Sequence, residues 1–377
     1  MNVAPSLLAL QLSVSLLASA APPPRIEADP RAAAAEAQLR AFLETRHIPG
    51  LAVAVGLDGQ VVYHQAFGVA DLETKAPVTA DSVFPLGSTS KALTGLLLGQ
   101  LVEAGKLDLD APIQTYVPSF PVKSHPITAR QLAGHLAGLR NYNRAAGEYE
   151  NRKHFPSVEA AVGIFKDDPL EFEPGTRHAY SVYGFVLLSA ALEGASGKSF
   201  LELLDARLVN PLGLSSTGPC RPEVPGLVTS YSAGFFGMPV AAAPTDLSNK
   251  WAAGGLASTP LDMVRLGNAV VAGSVVRPET FTLLTTPQKL KDGSDSGAGY
   301  GMGWRSGVKK LAPSGREVRV AHHGGTANGA MSFFVIFPEE RLVISLLSNL
   351  LFEPFTDFAA EAYALAEIFV GQPRSRP

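Results

Sequence analysis

Ser88 stands three residues before Lys91, at the point where an apolar helical pattern begins, in the stretch Phe84-Pro85-Leu86-Gly87-Ser88-Thr89-Ser90-Lys91. Residues at i and i+3 share a helix face, so the Lys91 amine is placed to hydrogen-bond the Ser88 hydroxyl and to take its proton during attack. A serine at a helix N-terminus is also served by unpaired backbone N–H groups and by the positive end of the dipole, which stabilise an oxyanion beside it. The residues that follow, 92–102, are apolar on every side, the pattern of a buried helix. Ser-x-x-Lys is short enough to occur by chance in 377 residues, and an N-capping serine is the alternative reading of Ser88. A second match, Ser306-Gly307-Val308-Lys309, is interrupted by glycine and launches no apolar helix, so it reads as a loop.

Tyr180 follows a Pro174-Gly175 turn and immediately precedes another apolar helical run. A phenol held near two cations has its pKa lowered and serves as a base, although a packed structural tyrosine is the default. Tyr149, in a rival Tyr-x-Asn match ending at Asn151, lies in polar surroundings that predict an exposed loop. The run Ala321-His322-His323-Gly324-Gly325-Thr326 reads as the opening of a turn between two late strands. Nothing nearby completes a metal-ligand spacing around the two histidines. An edge strand whose glycines admit a substrate backbone, with a histidine supplying a donor or positive charge, fits better. His135, before Leu136-Ala137-Gly138-Leu139-Arg140, reads as a helix C-cap feature. The absence of any G-x-S-x-G elbow argues against an ordinary α/β-hydrolase.

These residues need elements to hold them. Residues 51–55 and 61–65 alternate around Asp58-Gly59, a type I′ hairpin signal. Helices are expected at about 36–46, 129–137, 158–166, 182–196, 199–208, 261–272 and 358–370, and strands at 316–321, 332–337 and 342–347. The early hairpin and late strands then share one antiparallel sheet, flanked by the first and last helices, with an inserted and mostly helical lobe. The fold class is α/β (α+β). The divisions are 1–20 signal peptide, 21–35 linker, 36–110 with 295–372 an α/β lobe, and 111–294 a helical lobe. The catalytic domain spans 36–372, and its site lies in the cleft between lobes.

Composition narrows the function. Hydrophobic residues make up 46% and charged residues 17%, with a formal net charge of -3, which suits a globular enzyme and argues against nucleic acid as a partner. The single cysteine, Cys220, excludes an internal disulfide and a cysteine metal site, and reads as a buried small apolar residue. The apolar run 7–20 ends in Ala18-Ser19-Ala20, an export signal pattern, although no Lys or Arg precedes it. The run is short for a bilayer span, so no stable membrane insertion is expected after cleavage.

Ser88-x-x-Lys91, Tyr180-Ser181 and His322-x-Gly324, in this order, resemble the three active-site elements of the serine penicillin-recognising enzymes: class C β-lactamases, D-Ala-D-Ala carboxypeptidases and related esterases. The similarity runs from about 51 to 349. It includes Gly105-Lys106-Leu107-Asp108-Leu109-Asp110, Gly254-Gly255-Leu256-Ala257-Ser258-Thr259 and Tyr300-Gly301-Met302-Gly303-Trp304. Within the family, His135 to Tyr142, Phe165 to Leu170, Tyr180 to Phe185 and Lys250 to Gly255 look most like the β-lactamase-like serine proteases of animal mitochondria and their bacterial relatives.

The resemblance implies a β-lactamase/transpeptidase-like fold and an exported serine hydrolase, periplasmic or secreted if bacterial, that forms an acyl-enzyme without metal or cofactor. Ser88 would be the nucleophile, Lys91 its base partner and Tyr180 the proton relay. His322 would line the pocket, and Gly325 would give an oxyanion N–H beside that of Ser88. A slip of one residue puts His323 in the motif instead, and the sequence leaves that register open. Where the family's Tyr-x-Asn has an amide, this chain has Val182, which implies weak β-lactam turnover. Peptide or D-Ala-peptide cleavage is the leading expectation and ester hydrolysis the second; a non-catalytic binding or scaffold protein of this fold is the rival from another class.

Overall fold

The computed structural model describes residues 29–234 and 237–371, so the expected signal segment and most of the expected linker lie outside the described residues. The first helix, α1 (Pro30–Thr45), begins earlier than the pattern of apolar residues suggested. Asp29 accepts a hydrogen bond from the Arg31 N–H, Pro30 presets the first helical φ, and the alanines behind it carry high helix propensity.

Strands β1 (Gly50–Leu57) and β2 (Gln60–Gly68) form the expected hairpin, with Asp58 and Gly59 at φ of 52° and 82°. Four late strands complete the sheet: β3 (Arg305–Lys310), β4 (Glu317–Ala327), β5 (Ala330–Phe337) and β6 (Leu342–Ser348). Their order is β2-β1-β6-β5-β4-β3, every neighbouring pair antiparallel, so the first hairpin zips onto the last strand.

Strands β1, β5 and β6 are buried along their whole length because both sheet faces are covered, which explains their continuous apolar runs. Alternation sends Val53, Phe333 and Ile344 to one face, beneath α1 and the C-terminal helix. Ala54, Phe334 and Val343 go to the other face. There a single cluster continues through α2 (Ser90–Glu103) and α3 (Val182–Ser196) to α4 (Pro260–Val271), the core against which the site is built. The C-terminal helix is α5 (Phe355–Val370). Among the described residues, no helix is long and apolar enough to cross a membrane.

Three segments differ from the sequence expectation. The stretch read as a turn at Ala321–Thr326 lies inside β4, and the chain reverses instead around Gly329, at φ 80°. Its glycines mark close packing. A Cβ on Gly325 would come within 2.0 Å of the Leu86 carbonyl oxygen, and one on Gly324 within 2.4 Å of the Phe355 ring. The second Ser-x-x-Lys match lies on β3, not in a loop. Its Ser306 and Lys309 take opposite strand faces, and the Ser306 hydroxyl donates to the Thr285 carbonyl at 2.6 Å. The helix expected at 129–137 stops at Ala133, because Gly134 and then His135, at φ 60°, leave the helical region.

Candidate active site

The nucleophile candidate sits in a 3-10 turn, Gly87–Thr89, that feeds directly into α2. Gly87 has φ 49°, and a Cβ there would approach the Thr326 carbonyl oxygen at 2.5 Å, so the turn needs glycine for both its conformation and its fit to β4. Thr89 Oγ1 donates to Ser332 Oγ at 2.8 Å and lies 3.2 Å from the His323 carbonyl oxygen. Ser332 Oγ in turn donates to the Leu86 carbonyl at 2.6 Å. These side-chain bonds tie the turn to β4 and β5 while Ser88 itself stays half-exposed toward a cavity.

Lys91 is fully buried, and its Nζ lies 3.3 Å from Ser88 Oγ and donates to the Ala253 carbonyl. Burial pushes its pKa well below the ordinary lysine value, and the charge of Lys250 pushes the same way. A neutral amine beside the serine has a lone pair for its proton. The helical spacing therefore delivers the amine, and the interior favours its neutral form.

Tyr180 arrives from the residue before the N-cap of α3, where Ser181 Oγ accepts from the Gly184 N–H at 3.1 Å. Its hydroxyl donates to Ser88 Oγ at 3.0 Å. The lowering expected from two neighbouring cations is not found: the Lys91 amine lies over the ring, 4.9 Å from the centroid, and burial raises the phenol to about 12, outweighing the Ser88 hydrogen bond and the Arg305 charge. Tyr180 is thus a protonated donor, not a resting phenolate. His135 clamps this segment. Its carbonyl accepts from the Ala179 N–H at 3.0 Å, its Nδ1 accepts from the Ser181 N–H at 3.2 Å, and its ring lies 4.1 Å from that of Tyr180.

The two histidines on β4 part company by strand alternation. His323 turns toward α2: its Nδ1 lies 2.7 Å from the Gly324 carbonyl and its Nε2 2.9 Å from the Tyr300 hydroxyl. A carbonyl only accepts, so Nδ1 carries the proton and Nε2 accepts from Tyr300. Burial and the nearby Lys91 hold the His323 pKa well below the usual range, so it offers neither the positive charge nor the spare donor expected of it. His322 turns to the other face, its ring 5.2 Å from Phe333, and burial lowers its pKa to about 4.

A cavity of about 160 Å³ opens beside Ser88. Thr326 from β4 forms one wall, and Asn141, Tyr149, Tyr180, Val182 and Lys250 bring the helical segment to the other. Tyr149 is therefore half-buried in the site wall, contrary to its polar sequence surroundings. Asn141, Lys250, Tyr300 and Thr326 were not singled out from the sequence. Asn141 Oδ1 accepts from the Val182 N–H at 3.1 Å, which puts an amide side chain beside the valine that stands where the motif usually has one. The Arg140-Asn141-Tyr142, Lys250-Trp251 and Tyr300-Gly301-Met302-Gly303-Trp304 stretches could have pointed there through their likeness to the family, and Thr326 closes the Ala321–Thr326 run.

Fold and site together define a serine hydrolase of the β-lactamase and penicillin-binding-protein type. Residues 35–368 match the Beta-lactamase family model, and the chain belongs to that family. It is 30% identical to the human mitochondrial serine beta-lactamase-like protein LACTB, over 78% of this chain and 69% of that protein. It is 28% identical to the D-aminopeptidase of Gluconobacter oxydans, over 80% of this chain and 56% of the relative. Among solved structures, the octameric penicillin-binding protein homologue from Pyrococcus abyssi superposes with a TM-score of 0.75 at 24% identity, over 90% of this chain and 77% of that one.

Proposed function

We propose that this protein is an exported hydrolase that cleaves peptide bonds, D-alanyl peptides foremost, through an acyl-enzyme on Ser88. The observation that carries the reading is the convergence on Ser88 Oγ of a buried amine at 3.3 Å and a protonated phenol at 3.0 Å. Neutral Lys91 takes the Ser88 proton as Oγ attacks the carbonyl carbon. The backbone N–H groups of Ser88 and Thr326 stabilise the oxyanion, with Thr326 preferred to Gly325 because Thr326 is the residue that lines the cavity with Ser88. Tyr180 hands its phenolic proton to the leaving atom and is reprotonated from Lys91; water then attacks the acyl-enzyme by the reverse proton path. His323 acts indirectly, fixing Tyr300 and the strand. The site lies between an α/β lobe and a helical lobe, 111–294, and export rests on the apolar run 7–20.

Ester hydrolysis is the second reading, favoured by Val182, whose side chain offers no donor to a substrate amide. The test is fluorophosphonate labelling read by mass spectrometry, with turnover of D-Ala dipeptides, short acyl esters and a reporter cephalosporin. The adduct is expected on Ser88, peptide turnover is expected to fall at least about a thousandfold in Ser88→Ala, and the cephalosporin is expected to be a poor substrate. Turnover that survives Ser88→Ala overturns the mechanism.

A further inference from the structure

The short helix Ala129–Ala133 ends on a residue that its own stability does not call for. Gly134 caps it, and the next position, where glycine ordinarily supplies the left-handed turn, holds His135 at φ 60°. The imidazole is buried and fixed in one tautomer. The Ser181 N–H only donates, so Nδ1 accepts from it at 3.2 Å and the proton lies on Nε2, which is buried without a hydrogen bond. A left-handed backbone and an unpaired N–H are two local costs at one residue, and glycine would avoid both. Costs of this kind are retained where a side chain serves a site.

The imidazole serves Tyr180. The Ala179 N–H donates to the His135 carbonyl and the Ser181 N–H to Nδ1, so Tyr180 is bracketed by a bond to His135 on either side of it in the chain. The His135 and Tyr180 rings lie 4.1 Å apart, tilted by 38°. The Tyr300 ring packs on His135 at 4.5 Å, and its hydroxyl donates to His323 Nε2 at 2.9 Å. The His323 carbonyl oxygen in turn lies 3.2 Å from Oγ1 of Thr89, the residue after Ser88. One run of contacts thus ties the loop that carries the phenol to the turn that carries the nucleophile. His135 itself does not line the cavity beside Ser88.

We propose that His135 is a positioning residue for proton delivery: it holds the Tyr180 phenol in place between Ser88 and the leaving atom. The inference rests on the reading of Ser88 as nucleophile and Tyr180 as proton donor. As the tetrahedral intermediate collapses, the bond from the carbonyl carbon to the leaving atom breaks and its electron pair stays on that atom. The Tyr180 proton joins it, and the phenolate regains a proton from Lys91. A displaced phenol donates poorly, so the loss falls on leaving groups that need a proton.

The test compares kcat/KM for p-nitrophenyl acetate, whose leaving group departs as a stable anion, with that for ethyl acetate, whose alkoxide must be protonated. His135→Gly accepts the backbone angle and removes the imidazole. It is expected to lose at least about thirtyfold on ethyl acetate and less than about threefold on p-nitrophenyl acetate. His135→Asn tolerates the left-handed backbone and offers Oδ1 in place of Nδ1, so it recovers part of the ethyl acetate loss. Added to Tyr180→Phe, His135→Gly costs no further ethyl acetate activity, because no phenol is left to place. Equal losses on the two esters, or a loss that adds to that of Tyr180→Phe, overturns the proposal. Should His135→Gly fail to fold, His135→Asn decides: a fall on ethyl acetate alone supports the proposal, and a fall on both esters or on neither overturns it. Tyr180→Phe losing both esters equally, or no fluorophosphonate label on Ser88, overturns instead the mechanism on which the inference stands.

Discussion

Two lysines are buried near Ser88, and the interior treats them differently. Lys91 is sealed from solvent, hydrogen-bonds Ser88 Oγ and one carbonyl with its amine, which also lies over the Tyr180 and Phe185 rings, and is driven well below the ordinary lysine pKa. Lys250 is 7% exposed, donates to the Tyr149 carbonyl at 3.1 Å, and lies 4.9 Å and 5.2 Å from the centroids of the Tyr142 and Tyr149 rings. Burial lowers it only to about 8, so it remains mostly charged at neutral pH. The same residue type thus becomes a base where the protein gives it a proton donor to attack. Both amines lie over two aromatic rings, so what keeps Lys250 a fixed cation is its residual exposure to an open cavity.

The largest test of this contrast is on activity. Lys91→Met keeps the volume and removes the base; kcat/KM is expected to fall by about three orders of magnitude. Lys250→Met removes a charge that faces substrate, so the expected loss is about tenfold and falls mainly on KM. Steady-state kinetics on the best short acyl ester or D-Ala peptide measure both. Equal losses in kcat for the two variants break the comparison.

Stability sharpens it in the opposite direction. The folded-state pKa of Lys91 is below the unfolded value of 10.5, so between the two the unfolded chain binds the extra proton and stability rises with pH. As pH falls toward the folded pKa, this contribution is lost, at up to about 1.4 kcal/mol per pH unit. Lys91→Met has no such group to protonate. Thermal melts of the inactive variant against wild type between pH 7 and 9 are expected to show its advantage growing as pH falls. Parallel melting curves across that range mean that Lys91 is not held neutral.

The same contrast explains what could be read in advance. Ser88 and Lys91 are joined by one helical turn, and a covalent spacing fixes their relation whatever the rest of the chain does. Asp58-Gly59 was equally legible, because a two-residue turn with both φ positive is local chemistry. The histidines were harder. Strand alternation reverses with a one-residue slip, and only the pairing of His323 with Phe334 and of Gly325 with Ser332 decides which side meets α2. The glycines that obscured β4 as a strand are the residues that let it pack against the Ser88 turn and α5. Lys250 was invisible as a site residue because nothing local links it to Ser88. Its place depends on the Trp251–Gly255 segment lying against α2, where Thr94 Oγ1 donates to the Ala252 carbonyl at 2.7 Å.

The smallest expected effect is the one that links the two lysines directly. The positive charge on Lys250 contributes to the low pKa of Lys91, after burial. Removing that charge in Lys250→Met raises the pKa of the base, so a larger fraction is protonated at a given pH. The acid limb of the kcat/KM profile is therefore expected to move to higher pH, the direction opposite to that produced by removing a carboxylate. Because both amines are buried, added salt is expected to leave the displacement largely intact. A limb that stays in place, or moves to lower pH, means that the group titrating there is not Lys91 under the influence of Lys250.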